Sequence, residues 1–243
     1  MTSGSPGPTR HERLRRLVSG RAERRGRTGW SGLVCDVVSE RLVVDGAAIA
    51  VHTDGIAVQE LVAVAGEWAR HLEEMQYTVG DGPAIEATET GSPVLITDLA
   101  GTDGRWPGFA QVADEAGLGA AFVFPLRAGP APIGTLDLFR RGPRPLSPDE
   151  LAEAAALADI ATEAVLADVG TAGAVPAPWL WADVPGHYDQ VNIASGLLAG
   201  ELRISVEEAR VRLRADAFLH GVPVNDVARS VVRLEVPAST FAD

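Results

Sequence analysis

From Ser31 onward, Leu33, Val34, Val37, Val38 and Leu42 recur at helical spacing, and the period changes at Asp45-Gly46 to the unbroken run Ala47-Ala48-Ile49-Ala50-Val51. A helical period, a turn dipeptide and an apolar run predict helix, turn and strand. A second strand is expected around Glu60 to Ala65, and Trp68, Leu72 and Met75 mark a helix leading to Val79-Gly80-Asp81-Gly82-Pro83. Pro83 suits the first position of a short helix through Thr90, which Gly91 can close in the left-handed conformation. Further strands are predicted over Pro93 to Thr97, Ala120 to Leu126 and Ile133 to Phe139, the last two forming a hairpin across Ala128-Gly129-Pro130-Ala131-Pro132. Between them, Arg105-Trp106-Pro107-Gly108-Phe109 opens a short helix ending near Gly117. Five strands mixed with helices and joined by hairpin pairing predict an α+β domain, with an antiparallel sheet flanked by helices.

Ser147-Pro148-Asp149-Glu150 has the form of a capping box, and the long helix it starts carries Leu151, Ala154, Ala158, Ala161 and Val165 along one side. Such a stripe of small residues suits close packing on the sheet of the same chain or on a second subunit. Residues 171–186, TAGAVPAPWLWADVPG, interrupt any helix that enters them. Trp179 and Trp181 in this stretch are expected to dock on a neighbouring domain. Helical patterning then returns in three pieces: Val191, Ala194, Leu197, Leu198 and Leu202; Val206, Ala209, Leu213 and Ala217 behind the box Ser205-x-x-Glu208; and Val224, Val227, Ala228, Val231 and Val232 after Gly221-Val222-Pro223. The expected organisation is a flexible basic arm (1–30), an α+β domain (31–168), a Pro-rich linker (169–186), a small all-α three-helix domain (187–236) and a tail (237–243).

Charge divides the chain in the same way. Residues 1–30 carry eight Arg against two Glu, 31–183 seven Arg against 23 acids, and 184–243 six Arg against eight acids. The middle repels polyanions, so contact with nucleic acid falls to the N-terminal arm or to a local face of the C-terminal segment. All 21 basic residues are Arg, which fits the codon bias of a GC-rich bacterial genome and leaves no Lys for a P-loop or a Schiff base. Cys35 is the only cysteine, so no disulfide or thiolate metal cluster can form within the chain. With no long apolar span, these features predict a cytoplasmic protein.

No residue set predicts catalysis. Cys35 falls within an apolar helical pattern and reads as a small buried hydrophobe. His71 with Glu67 and Glu74 forms either a metal-binding face or a solvated charged face, and Gly80-Asp81-Gly82-Pro83 resembles a phosphate-cradling turn in which Asp81 would repel the anion. No cofactor and no metal are expected. Arg210 and Arg214 stand four apart on one helix with Phe218 a turn further, a stripe able to pair with phosphate and stack on unpaired bases. The alternative is an ordinary helix face on which Glu207 pairs with Arg210.

The segments Tyr77-Thr78-Val79-Gly80-Asp81-Gly82-Pro83, Thr90-Gly91-Ser92-Pro93-Val94, Arg105-Trp106-Pro107-Gly108-Phe109, Phe124-Pro125-Leu126 and Ile133-Gly134-Thr135-Leu136-Asp137-Leu138 resemble, in order, the GAF domains of actinobacterial regulators. The resemblance implies a module that senses a small molecule or a partner protein. Many such sequences have Cys after Gly-Pro where this one has Ala84, which argues against thiol sensing there. Ala194-Ser195-Gly196-Leu197-Leu198, Ser205-Val206-Glu207-Glu208-Ala209 with Leu213-Arg214 and Ala217, and Asp226-Val227-Ala228 with Val231 are similar to the ANTAR domain, an RNA-binding module of bacterial antiterminators. That resemblance implies RNA contacts at Ser195 and Arg214, with Ser195 in a place that is often basic, and the helix stripe adds Arg210 to them.

Together the two resemblances imply a homodimeric antitermination regulator, in which sensing controls the grip on RNA stem-loops. Neutral Ser195 and the acidic balance keep open a protein-interaction sensor whose helical tail dimerises without RNA. A GAF-fold enzyme such as a methionine sulfoxide reductase would need several cysteines. The Pro-rich interruption predicts that limited proteolysis cuts first between Thr171 and Gly186; first cleavage inside 31–168 would count against that boundary.

Overall fold

The computed structural model describes residues 8–25, 29–53, 58–102, 104–171 and 187–242. Most of the Pro-rich stretch, including Trp179 and Trp181, lies outside these residues. Helices α1 (Arg10–Arg25) and α2 (Trp30–Arg41) precede strands β1 (Gly46–Thr53) and β2 (Val58–Ala65), then α3 (Glu67–Val79), α4 (Pro83–Thr90) and β3 (Val94–Ile96). Helix α5 (Pro107–Glu115), the hairpin β4 (Ala120–Ala128) and β5 (Ala131–Arg140), and helix α6 (Pro148–Thr171) follow. The sheet is antiparallel throughout, in the order β2-β1-β5-β4-β3. This is the α+β architecture that the periodicity predicts. The β4–β5 hairpin is longer than expected because pairing continues to Ala128 and Ala131, leaving Gly129-Pro130 as the turn.

Alternation along the strands sends side chains to two covered faces. Ala47, Ile49, Leu136, Leu138, Phe122 and Phe124 form one core with α2 and α6. Ala48, Ala121, Val123 and Phe139 form the other with α3, α4 and α5. Strands β1 and β5 approach so closely at Gly134 that a Cβ there would stand 2.1 Å from the Ala50 carbonyl oxygen, so no side chain fits. The small-residue stripe of α6 is spent within the chain: Ala154, Ala161 and Val165 are buried against the sheet and α2. Ser147 and Glu150 form the reciprocal capping box, with the Glu150 N–H donating to Ser147 Oγ at 3.2 Å and the Ser147 N–H to Glu150 Oε2 at 2.7 Å.

The N-terminal segment departs from the flexible arm expected for 1–30. Residues 10–25 form a helix whose Leu14 and Val18 are buried in the core of α2 and α6. Two apolar residues at i,i+4 cannot sustain an isolated helix, but a preformed apolar surface supplies the missing burial. The basic side chains then meet acids of the same chain: Arg10 pairs with Asp149 at 2.9 Å, Arg15 with Glu163 at 3.3 Å, and Arg21 with Glu40.

Beyond the Pro-rich stretch, α7 (Asp189–Leu202), α8 (Val206–His220) and α9 (Val224–Val232) pack on one another and on α3. Their apolar residues share one core with the α3 face of the sheet. Ser205 caps α8 by accepting from the Glu208 N–H at 3.0 Å, while the Glu208 carboxylate turns to Arg212 at 2.6 Å instead of closing the box. No helix among the described residues is long and apolar enough to cross a membrane.

Asp168 near the end of α6 ties down the start of α2. Its carboxylate accepts from the Trp30 N–H at 2.7 Å and from the Ser31 N–H and Oγ at 2.9 and 2.8 Å. A carboxylate facing free N–H groups at a helix N-terminus is favoured by hydrogen bonding and by the helix dipole. Asp168→Ala is therefore expected to destabilise the protein by about 1–3 kcal/mol, measured by denaturant unfolding, with Asp168→Asn recovering part of the loss. Unchanged stability in both variants would show that this anchor is dispensable.

Candidate functional site

Between the sheet and α3, the core holds polar side chains where packing alone would place apolar ones. Thr135 and Asp137 occupy alternate positions of β5 and are fully buried. The register sets Asp137 between Ala48 of β1 and Val123 of β4, and Thr135 between Ala50 and Pro125. Helix α3 lowers Glu73 and Gln76 onto this face, and β2 with β1 adds Gln59 opposite His52; all four are buried. Gln59 Nε2 lies 3.5 Å from Glu73 Oε2, a long contact.

Glu73 and Asp137 lie close enough in this cluster for each to shift the other's titration. As two carboxylates neither could donate, and Glu73 Oε1 with both Asp137 oxygens would be left buried without a donor. A proton held by the pair removes this conflict. Burial, followed by the Asp137 charge and the hydrogen bond to it, pushes Glu73 well above the usual carboxylate range. Burial likewise pushes Asp137 up to about 6, against the lowering effect of Glu73 and Thr135. Burial holds His52 neutral, pushed down to about 4, and neither ring nitrogen has a partner.

The turn that resembles a phosphate cradle is closed from within. Gln76 Oε1 accepts from the Ala84 N–H at 3.1 Å and lies where a Cβ on Gly82 would be, 2.4 Å away, so glycine is required. Asp81 accepts from the Gly108 and Phe109 N–H groups at 3.3 and 2.8 Å and thereby caps α5. The turn holds α4 and α5 in place.

Helix α3 also presents a second side to the C-terminal helices. Tyr77 stacks on Tyr188 with ring centroids 3.7 Å apart, and the Arg214 guanidinium lies 4.6 Å from the Tyr77 ring centroid. Glu60 of β2 accepts from the backbone N–H groups of His187 and Tyr188, the latter at 3.2 Å. Glu74 pairs with the His187 ring at 2.8 Å, and the Thr78 hydroxyl accepts from the Val224 N–H at 3.2 Å, capping α9. Burial raises the carboxyl of Glu60 against the two N–H groups that lower it, and burial raises the Tyr77 phenol against Arg214 and Arg210.

The three residues singled out for RNA divide accordingly. Arg210 and Arg214 come together beside Tyr77; Arg210 is buried and ion-paired with Glu207 at 2.8 Å, the partner that the helix-face alternative assigns to it. Arg214 is half-buried, with its Nε enclosed and its Nη1 against Gly80. Ser195 lies apart, fully buried in α7, with its hydroxyl donating to the Val191 carbonyl at 2.7 Å. Cys35 is buried in the opposite core, where burial raises its thiol far out of the nucleophilic range. Of the suspected metal face, Glu74 turns to His187 and Glu67 to Arg70, and no group among the described residues could hold a metal.

The GAF domain model matches residues 31–166, more than half of the chain. The chain belongs to the GAF domain family. The fold is similar to the GAF domain of a phosphoenolpyruvate-protein phosphotransferase from Coxiella burnetii, at 14% identity and a TM-score of 0.52, covering 67% of this chain and 96% of that one. It is similar to the corresponding Acinetobacter domain at 16% identity and a TM-score of 0.51, covering 67% and 95%. A free methionine-R-sulfoxide reductase from Neisseria meningitidis is similar at 15% identity and a TM-score of 0.49, covering 70% and 96%. No curated protein matches the chain. The GAF domain thus spans α2 to α6, and signal sensing is the general role of such domains.

Sequence reasoning placed no site residue in the polar cluster of the GAF domain. The available signal was Thr135-x-Asp137 on one face of a predicted strand, where burial of polar groups needs a reason.

The carboxyl pair sets a pH dependence. Raised carboxyls bind protons more tightly in the folded than in the unfolded chain, whose carboxyls titrate near pH ~4. Their contribution to stability is therefore present at low pH and is lost as pH rises, through about 6 for Asp137 and in the same direction for Glu73. Asp137→Asn is expected to flatten the fall in unfolding free energy between pH ~4.5 and ~7.5. Parallel curves for wild type and variant would sink the assignment.

Proposed function

We propose that the protein is a signal-responsive antitermination regulator, in which the GAF domain restrains ANTAR-like helices α7–α9 until a signal frees them to grip RNA stem-loops. The observation that supports this most is Arg214. The guanidinium that the ANTAR resemblance assigns to RNA lies against Tyr77 of the GAF domain, so RNA and the sensor compete for one side chain. Release of the helices exposes Arg214 beside Arg210 and the half-exposed Phe218, a combination suited to phosphate and unpaired bases. Two such units in a homodimer would hold paired hairpins, prevent terminator formation and let polymerase continue.

A second reading has its own support. Ser195 is buried and neutral and Arg210 is paired within its helix, whereas Ile193 and Leu197 of α7 and Leu234 after α9 expose apolar surface. These features suit a tail that dimerises or binds another protein without RNA.

Binding of hairpin RNA to the full chain distinguishes the two. Arg214→Ala is expected to cost about 1–3 kcal/mol in affinity, with thermal unfolding measured alongside because the change also removes the contact with Tyr77. Glu60→Gln, which weakens the hold on His187 and Tyr188, is expected to tighten binding. Absence of RNA binding at low salt in both wild type and Glu60→Gln, with dimerisation retained in sedimentation, would favour the second reading.

A further inference from the structure

His187 and Tyr188 meet the GAF domain as a bound ligand would. Tyr188 is fully buried, flat on Tyr77, and its hydroxyl has no hydrogen-bond partner. Its backbone N–H and that of His187 both end on the Glu60 carboxylate, and the His187 ring ends on Glu74. Two carboxyl groups beside an aromatic floor form a receptor for a ring that carries a cation. The atoms that fill it, from the Tyr188 nitrogen through Cα and Cβ to the phenol, are the skeleton of an arylethylamine. A peptide N–H gives Glu60 a neutral donor, whereas an ammonium group at that place would give a charge-assisted one.

We propose that the His187-Tyr188 corner is a ligand in cis, filling a subsite of Glu60, Glu74 and Tyr77 whose competitor is an arylethylamine, and that the competitor displaces the C-terminal helices. The displacement follows from the shared atoms, because an amine on Glu60 and a ring on Tyr77 cannot coexist with residues 187 and 188 in their places. Exclusion by the corner scales the apparent affinity for the amine by the fraction of open protein, so loosening the corner must tighten binding. Only the consequence of displacement for RNA rests on the regulator reading; the subsite itself does not.

The test uses the full chain with tyramine as the probe, calorimetry for binding, and hydrogen exchange at α3 and α8 for docking. Tyramine is expected to bind Tyr188→Ala at least tenfold more tightly than wild type, Glu60→Gln in that background is expected to lose at least tenfold, and 4-hydroxyphenylacetate, with the same ring and the opposite charge, is expected not to bind. Saturating tyramine is expected to raise exchange at α8 in the wild type. If circular dichroism shows Tyr188→Ala unfolded, Tyr188→Leu keeps apolar volume without the ring and takes its place in the same comparison. Equal affinities for amine and carboxylate, no tightening on removal of the ring, or binding without increased exchange at α8 would each overturn the proposal. Tyramine-driven release without gain of hairpin RNA binding would leave the subsite standing and overturn the RNA output alone.

Discussion

Helix α3 is clamped on two sides, and the arrangement of both halves of the chain depends on that clamp. Ala69, Leu72, Glu73 and Gln76 belong to the side that covers the sheet, while Glu74, Tyr77 and Thr78 receive the C-terminal helices. A helix with one apolar stripe can cover one surface; covering two requires polar residues that find specific partners. Here Thr78 caps α9, Glu74 meets His187, and Tyr77 lies between Tyr188 and Arg214.

The clamp brings the polar interior of the GAF domain close to the C-terminal helices. Glu73 reaches inward to Asp137 and lies one residue from Glu74, which holds His187, and three from Gln76, which fixes the turn before α4. A change in the interior that shifts or rotates α3 must disturb the stacked tyrosines, because both sets of contacts are carried by one rigid element. Coupling of this kind needs no extended pathway. It requires that the docked and released arrangements differ in free energy by little enough for a ligand to reverse them.

Charge distribution takes on a different meaning in three dimensions. The basic character of residues 1–30 suggests a surface for polyanions, yet Arg10, Arg15 and Arg21 face Asp149, Glu163 and Glu40. Exposed pairs of this kind add little stability, so α1 is held mainly by the burial of Leu14 and Val18. In the C-terminal unit the opposite holds: an acidic segment keeps a local pair of guanidinium groups, Arg210 on Glu207 and Arg214 against the Tyr77 ring of the GAF domain.

Local chemistry alone determined most of the elements. Period, turn dipeptides and caps at Gly91, Ser147, Ser205 and Gly221 act over a few residues, and each lies where its own physics places it. The five strands, their hairpin and the three C-terminal helices were legible for that reason. Around residues 10–25 the helical spacing of Leu14, Leu17 and Val18 was visible, but a docked helix was not legible, because its stability comes from burial against α2 and α6 and not from its own propensity. Nor were the Glu73–Asp137 pair and the Tyr77–Tyr188 stack, which join residues 64 and 111 positions apart in the chain. Whether a carboxyl is solvated or buried against another, and whether an arginine is offered to a partner or held on a ring, depends on which surfaces meet. Only the tertiary structure decided that, because desolvation and stacking arise from neighbours that no local pattern specifies.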